Sequence, residues 1–149
     1  MLETRQLAPI IIAEDDEDDY LLTMEALKEA GVDSMVKWVK DGEELLDYLH
    51  SMTSSQEIQK GSEVPCLILL DLNMPRKDGR EALGEIKSDE SLRRIPIIIL
   101  TTSNAEMDIC HTYDLGVNSF IQKPVRFSEF VEVVKALSDY WFKIVKLPH

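Results

Sequence analysis

A chain of 149 residues with 44% hydrophobic and 30% charged residues is long enough to bury a substantial core within one domain. Its formal net charge of −12 repels the phosphates of nucleic acid and anionic membrane surfaces, and suits cations and basic partners. No stretch reaches the ~20 apolar residues of a membrane span, the opening "MLETRQLAP" has no apolar run of signal-peptide length, and Cys66 and Cys110 stand too far apart for a CxxC site or a disulfide framework, which predicts reduced cysteines in a cytoplasmic protein.

The first strand is predicted over residues 10–13, "IIIA", and six acids follow it without a break, from Glu14 to Asp19. A helix is expected from about residue 18 to 30, with Leu22, Ala26, Leu27 and Ala30 on one stripe and Gly31 as its C-cap. The second strand is expected over about 35–39. Asp41 and Glu44 then occupy N-cap and N3 positions, a variant of the capping box, and open a helix through Leu45, Leu46, Tyr48 and Leu49. Residues 51–64, "SMTSSQEIQKGSEV", are polar and weakly periodic. They read as a surface loop with room for one frayed helical turn.

The third strand, 66–70, is apolar throughout, as a strand covered on both faces should be. A helix over about 79–87 turns Ala82, Leu83 and Ile86 inward. A fourth strand follows at 96–100, a helix at about 105–115 that stops at Gly116, a fifth strand at 119–122, and a last helix from 128 to about 143. Strict alternation of strand and helix predicts an α/β fold, (βα)5, with a parallel sheet covered by helices on both faces. In such sheets the functional crevice lies beyond the carboxyl ends of the strands.

Glu14 and Asp15 follow the first strand, Asp71 and Asn73 the third, Thr101 and Thr102 the fourth, and Lys123 the fifth. Each has an ordinary reading alone: an Asp after a strand as a turn or cap residue, Thr101 as part of a helix cap, Lys123 as a solvated lysine. Their joint placement at successive strand ends selects a site. Three neighbouring carboxylates do not all ionise cheaply without a cation. Oxygen ligands without His or thiolate suit a hard ion, Mg²⁺ best. Lys123 offers charge and Thr101 a hydroxyl to a phosphoryl group. The chemistry implied is phosphoryl transfer to a carboxylate, with Asp71 as the nucleophile.

The segments "IIAEDD", "LILLDLNMPRKDG", "PIIILTTS" and "FIQKP" resemble the receiver domains of response regulators, and "DLNMPRKDG" is the most specific of them. The resemblance covers nearly the whole chain, with a core at about 9–143 and a tail at 144–149 of a single 1–149 domain. It implies the flavodoxin-like doubly wound sheet, strand order 2-1-3-4-5. It further implies Asp71 as the phosphoacceptor and Asp15, Asp71 and the Asn73 carbonyl as Mg²⁺ ligands, with Glu14 acting through water. Thr101 and Lys123 become the phosphate partners, Phe120 the aromatic switch, and the bond between Lys123 and Pro124 a cis peptide. The register of the acidic pair stays open between Glu14/Asp15 and Asp15/Asp16.

The expected partner is a sensor histidine kinase, and the long 51–64 insertion and the tail "YWFKIVKLP" resemble the small regulators of phytochrome-type kinases. The chain is then no enzyme beyond its own phosphorylation and dephosphorylation. Apolar tail residues outside the inward stripe of Phe130, Val133, Val134, Leu137 and Trp141 predict a homodimer, formed through the fourth helix, fifth strand, fifth helix and tail. Two other classes are weighed against this. An aspartyl-phosphate-forming phosphatase wants a general acid two residues after the nucleophile, where this chain has Asn73. A receiver-like binding module that is never phosphorylated would lack one of the residues present here.

Overall fold

The structure is a computed structural model that describes residues 10–29, 36–53, 67–102, 106–124 and 126–139. Five strands, β1 (Ile10–Ala13), β2 (Val36–Val39), β3 (Leu67–Leu70), β4 (Ile97–Thr101) and β5 (Ser119–Gln122), alternate with five helices. These are α1 (Glu17–Glu29), α2 (Gly42–Thr53), α3 (Gly79–Ser88), α4 (Glu106–Leu115) and α5 (Phe127–Asp139). The sheet is parallel throughout, in the order β2-β1-β3-β4-β5.

Because side chains alternate across a strand, the central strands serve two cores. Ile11, Ala13, Ile68, Leu70, Ile97 and Ile99 pack with Leu45 and Leu49 of α2 and Leu83 and Ile86 of α3. Ile10, Ile12, Leu67, Leu69, Ile98 and Leu100 pack with Ala26 and Leu27 of α1 and Phe130 and Val134 of α5. β1, β3 and β4 are buried on both faces, while the edge strands β2 and β5 are only partly covered.

The register sets where the chain leaves the sheet. Ala13 stands opposite both Val39 and Leu70, and Thr101 opposite Gln122. The ladder continues one rung further: Glu14 N–H bonds Val39 O at 3.0 Å, Asp71 N–H bonds Ala13 O at 3.0 Å, and Lys123 N–H bonds Thr101 O at 2.7 Å. The first residue beyond each of β1, β3 and β5 is thus held by sheet hydrogen bonding and not left to a mobile loop.

Several boundaries differ from the periodicity. α1 starts at Glu17, because the Asp16 side chain accepts the Asp19 N–H and caps the helix. α2 runs through Ser51 and Met52 to Thr53, beyond the expected start of the polar loop. Met52 is buried there and extends the Leu45–Leu49 stripe by one turn. Asp41 accepts the Glu44 N–H as expected, but the Glu44 side chain reaches back to the Lys40 N–H instead of the N-cap's own. Asp78 and Glu81 form a full capping box at the start of α3. No cis peptide occurs among the described residues, so the bond between Lys123 and Pro124 is trans. Trans is the lower form by about 0.5–1 kcal/mol even before proline. Cys66, Gly31, residues 54–64 and the tail from 140 onward lie outside the described residues, and no described helix is long and apolar enough to cross a membrane.

Candidate functional site at the carboxyl edge of the sheet

Asp71 sits at the centre of the edge, buried and held on both oxygens. Its Oδ1 accepts the Thr101 hydroxyl at 2.7 Å and the Asn73 N–H at 3.1 Å. Its Oδ2 accepts from the Lys123 ammonium at 3.2 Å. Thr101 ends β4 and is fully buried. The Asn73 side chain, by contrast, is exposed and reaches the Thr101 hydroxyl with its amide at 3.4 Å.

Glu14, Asp15 and Asp71 each place a carboxylate oxygen within 4.8 Å of the others. Asp16 stands apart from them as the cap of α1, so Glu14 and Asp15 are the pair that gathers with Asp71. Three hard oxygen donors at this separation, one of them exposed, fit a small divalent cation that keeps part of its water shell. Burial, and then the charge of Asp71, push the Glu14 carboxyl up to about 8, although Lys123 works against both.

Lys123 supplies the local counter-charge. Its side chain is only 4% exposed, and its ammonium bonds Glu14, Asp71 and also Asp19, the last at 2.7 Å. Burial alone would lower its pKa, but the charges of Glu14 and Asp71 outweigh it and hold the lysine firmly protonated. Asp19, in the first turn of α1, thus joins the site. Helical spacing carries the signal for it: Asp19 lies four residues before buried Thr23 and seven before buried Ala26, on the covered face of α1.

The loop between β3 and α3 is fastened at several points that residue type alone did not mark. Gly79 N–H bonds Leu72 O at 2.9 Å and Gly42 N–H bonds Lys77 O at 2.7 Å. Arg76, in the left-handed region at φ 60, donates Nε to the buried Asp41 carboxylate at 2.9 Å. Burial works to raise the Asp41 carboxyl, but the Glu44 N–H and the guanidinium outweigh it and keep it low. Arg80 makes a two-pronged pair with Asp108 of α4, both contacts at 2.7 Å, and touches Leu72 O at 3.4 Å. At the other edge, the Trp38 indole N–H donates to the Glu14 carbonyl at 2.7 Å. Phe120 is half-buried against the α2–α3 core, with its N–H on the Tyr113 hydroxyl.

The chain is similar in sequence and fold to known proteins. Response regulator Rcp1 of Synechocystis is 37% identical over 139 residues, covering 93% of this chain and 92% of Rcp1. The probable methanogenesis regulatory protein FilR2 of Methanothrix harundinacea is 35% identical over 141 residues, covering 95% of this chain and 88% of FilR2. The crystal structure of the phosphorylated cyanobacterial phytochrome response regulator RcpA superposes with a TM-score of 0.85 at 43% identity, covering 97% of this chain and all of that one. The Mn²⁺-bound form of Rcp1 gives 0.81 at 36% identity, over 95% of this chain and 99% of that one. Residues 10–135 match the response regulator receiver domain, and the chain belongs to that family.

Proposed function

We propose that this chain is a single-domain phosphoacceptor, residues 1–149, that receives a phosphoryl group on Asp71 from the phosphohistidine of a sensor histidine kinase. The reading rests above all on the contacts of the Asp71 carboxylate, bracketed by Thr101 and Lys123 beside Glu14 and Asp15. An Asp71 oxygen attacks phosphorus, the bond from phosphorus to the histidine nitrogen breaks, and the electron pair leaves with the imidazole. Asp15, Asp71 and the Asn73 carbonyl would hold Mg²⁺, with Glu14 acting on it through water. The ion would supply charge neutralisation for the transferring oxygens. Lys123, already an ammonium against Asp71, pairs with the phosphoryl group in place of the free carboxylate.

Phosphorylation adds charge and acceptor oxygens beside Thr101. Its hydroxyl follows the phosphoryl group, and the space it leaves admits Phe120. The surface of α4, β5 and α5 then differs between two states, biased by the contacts each makes with the phosphate. The likeness to the cyanobacterial phytochrome response regulator RcpA supports a phytochrome-type kinase as partner, and membership of the receiver family supports a cytoplasmic setting. The apolar tail beyond residue 139 supports a homodimer through this same surface.

Treatment with Mg²⁺ and a small phosphodonor tests the assignment. Wild type is expected to gain one acid-stable, base-labile phosphate and Asp71→Asn none, read by intact mass. Equal labelling of both would sink it.

A further inference from the structure

Trp38 belongs to the edge strand β2, yet its indole N–H ends on the site. It donates to the Glu14 backbone carbonyl at 2.7 Å, while the Glu14 N–H is bonded to Val39 O at 3.0 Å. Glu14 is therefore fastened by β2 at both its N–H and its C=O. The peptide that links Glu14 to Asp15 has its carbonyl end fixed, and with it the point from which the Asp15 side chain leaves the backbone. The indole is itself held: Tyr20 of α1 stacks on it at 3.9 Å between centroids and 4° between planes, and Lys40 Nζ lies 4.7 Å from its centroid. A parallel stack so close, with a cation beside it, fixes the plane of the ring and so the line of its N–H. An aliphatic residue at position 38 would cover the same edge and leave the Glu14 carbonyl to water.

We propose that Trp38 is a positioning residue for cation binding: its indole N–H, locked by Tyr20, pre-orders the peptide between Glu14 and Asp15 so that these carboxylates meet Asp71 without rearrangement. This rests on the cation-dependent reading given above. Ligands fixed before the ion arrives lose less freedom when it binds, so the benefit appears in affinity as well as in fold stability.

Trp38→Phe keeps a six-membered ring for Tyr20 to stack on and removes the N–H with the five-membered ring that carries it. Losing one charge-neutral hydrogen bond predicts a Mg²⁺ dissociation constant raised about tenfold, measured by calorimetry. The thermal midpoint in EDTA is expected to fall by no more than a few degrees, since the same hydrogen bond and stack also belong to the metal-free fold. A second measurement does not depend on that variant folding. Trp38 and Trp141 are the two tryptophans, so a ¹⁵N-labelled Trp141→Phe protein shows one indole N–H resonance. It is expected to shift progressively as Mg²⁺ is added. Wild type and Trp38→Phe binding Mg²⁺ within twofold of each other, or an indole resonance that stays still through saturation, would overturn the positioning role while leaving the cation site intact. Wild type that binds no Mg²⁺ would overturn both.

Discussion

At the scale of single residues the site is an excess of buried negative charge balanced by one lysine. Glu14 carries the consequence for pH. Its carboxyl, near 4.5 in an unfolded chain, is pushed up to about 8 in the folded one by burial and by Asp71. Between those values the folded state holds a proton that the unfolded state has released, so stability in the absence of metal falls as pH rises from about 4.5 to 8. Glu14→Gln removes that proton from the balance. Its thermal midpoint relative to wild type, in EDTA, is expected to climb steadily across pH 5 to 8 and level off above it; a difference that does not vary with pH would refute the assignment. Asp71, Thr101 and Lys123 were legible in the sequence because each follows an apolar run, and a parallel sheet brings such positions together. Asp19 was not, since six consecutive acids look alike until the helix that holds the last of them is placed. Trp38 was hidden for a different reason: its action is a backbone contact 24 residues away, which no spacing records.

Among the elements, the loop joining β3 to α3 carries the heaviest constraint. A Cβ added at Gly79 would stand 2.3 Å from the Asp71 carbonyl oxygen and 2.7 Å from the Leu72 Cα, both backbone atoms that cannot rotate aside. Gly79→Ala is expected to cost about 2–3 kcal/mol, read from urea unfolding, and to abolish the labile phosphate even though every acidic residue remains. Arg80 extends the loop's reach to another helix. Its two contacts with Asp108 tie α4 to α3, while its contact with Leu72 O touches the start of the loop that follows Asp71. Arg80→Ala is expected to leave Asp71 phosphorylation within about threefold of wild type, since the fold of β3 does not depend on a half-exposed pair. It is also expected to raise amide exchange along α4, and unchanged protection of α4 in the free protein would contradict this. The strands were easy to place because β1, β3 and β4 are buried on both faces and read as unbroken apolar runs. The last turn of α2 was not, because one buried methionine among serines and threonines is a weak local signal.

For the whole molecule, strand order is the quantity that local pattern does not contain. The alternation of β and α fits several orders, and 2-1-3-4-5 came from the likeness of "DLNMPRKDG" and its companions to receivers before the ladders showed it. Self-association is argued at this scale too. The tail "YWFKIVKLP" holds more apolar side chains than one helix face can turn inward. Truncation after Ser138 is expected to give a monomer in sedimentation that still takes phosphate on Asp71; an unchanged sedimentation state would refute the tail's role. One contact set has a bearing on how the protein is made. The carboxylates that hold Lys123 lie 109, 104 and 52 residues before it in the chain. A nascent polypeptide still lacking β5 also lacks Lys123, the ammonium that bonds Glu14, Asp19 and Asp71 in the folded chain. Half-synthesised chains therefore carry the site's carboxylates without that ammonium, and the contact set closes only once the fifth of the described strands has left the ribosome.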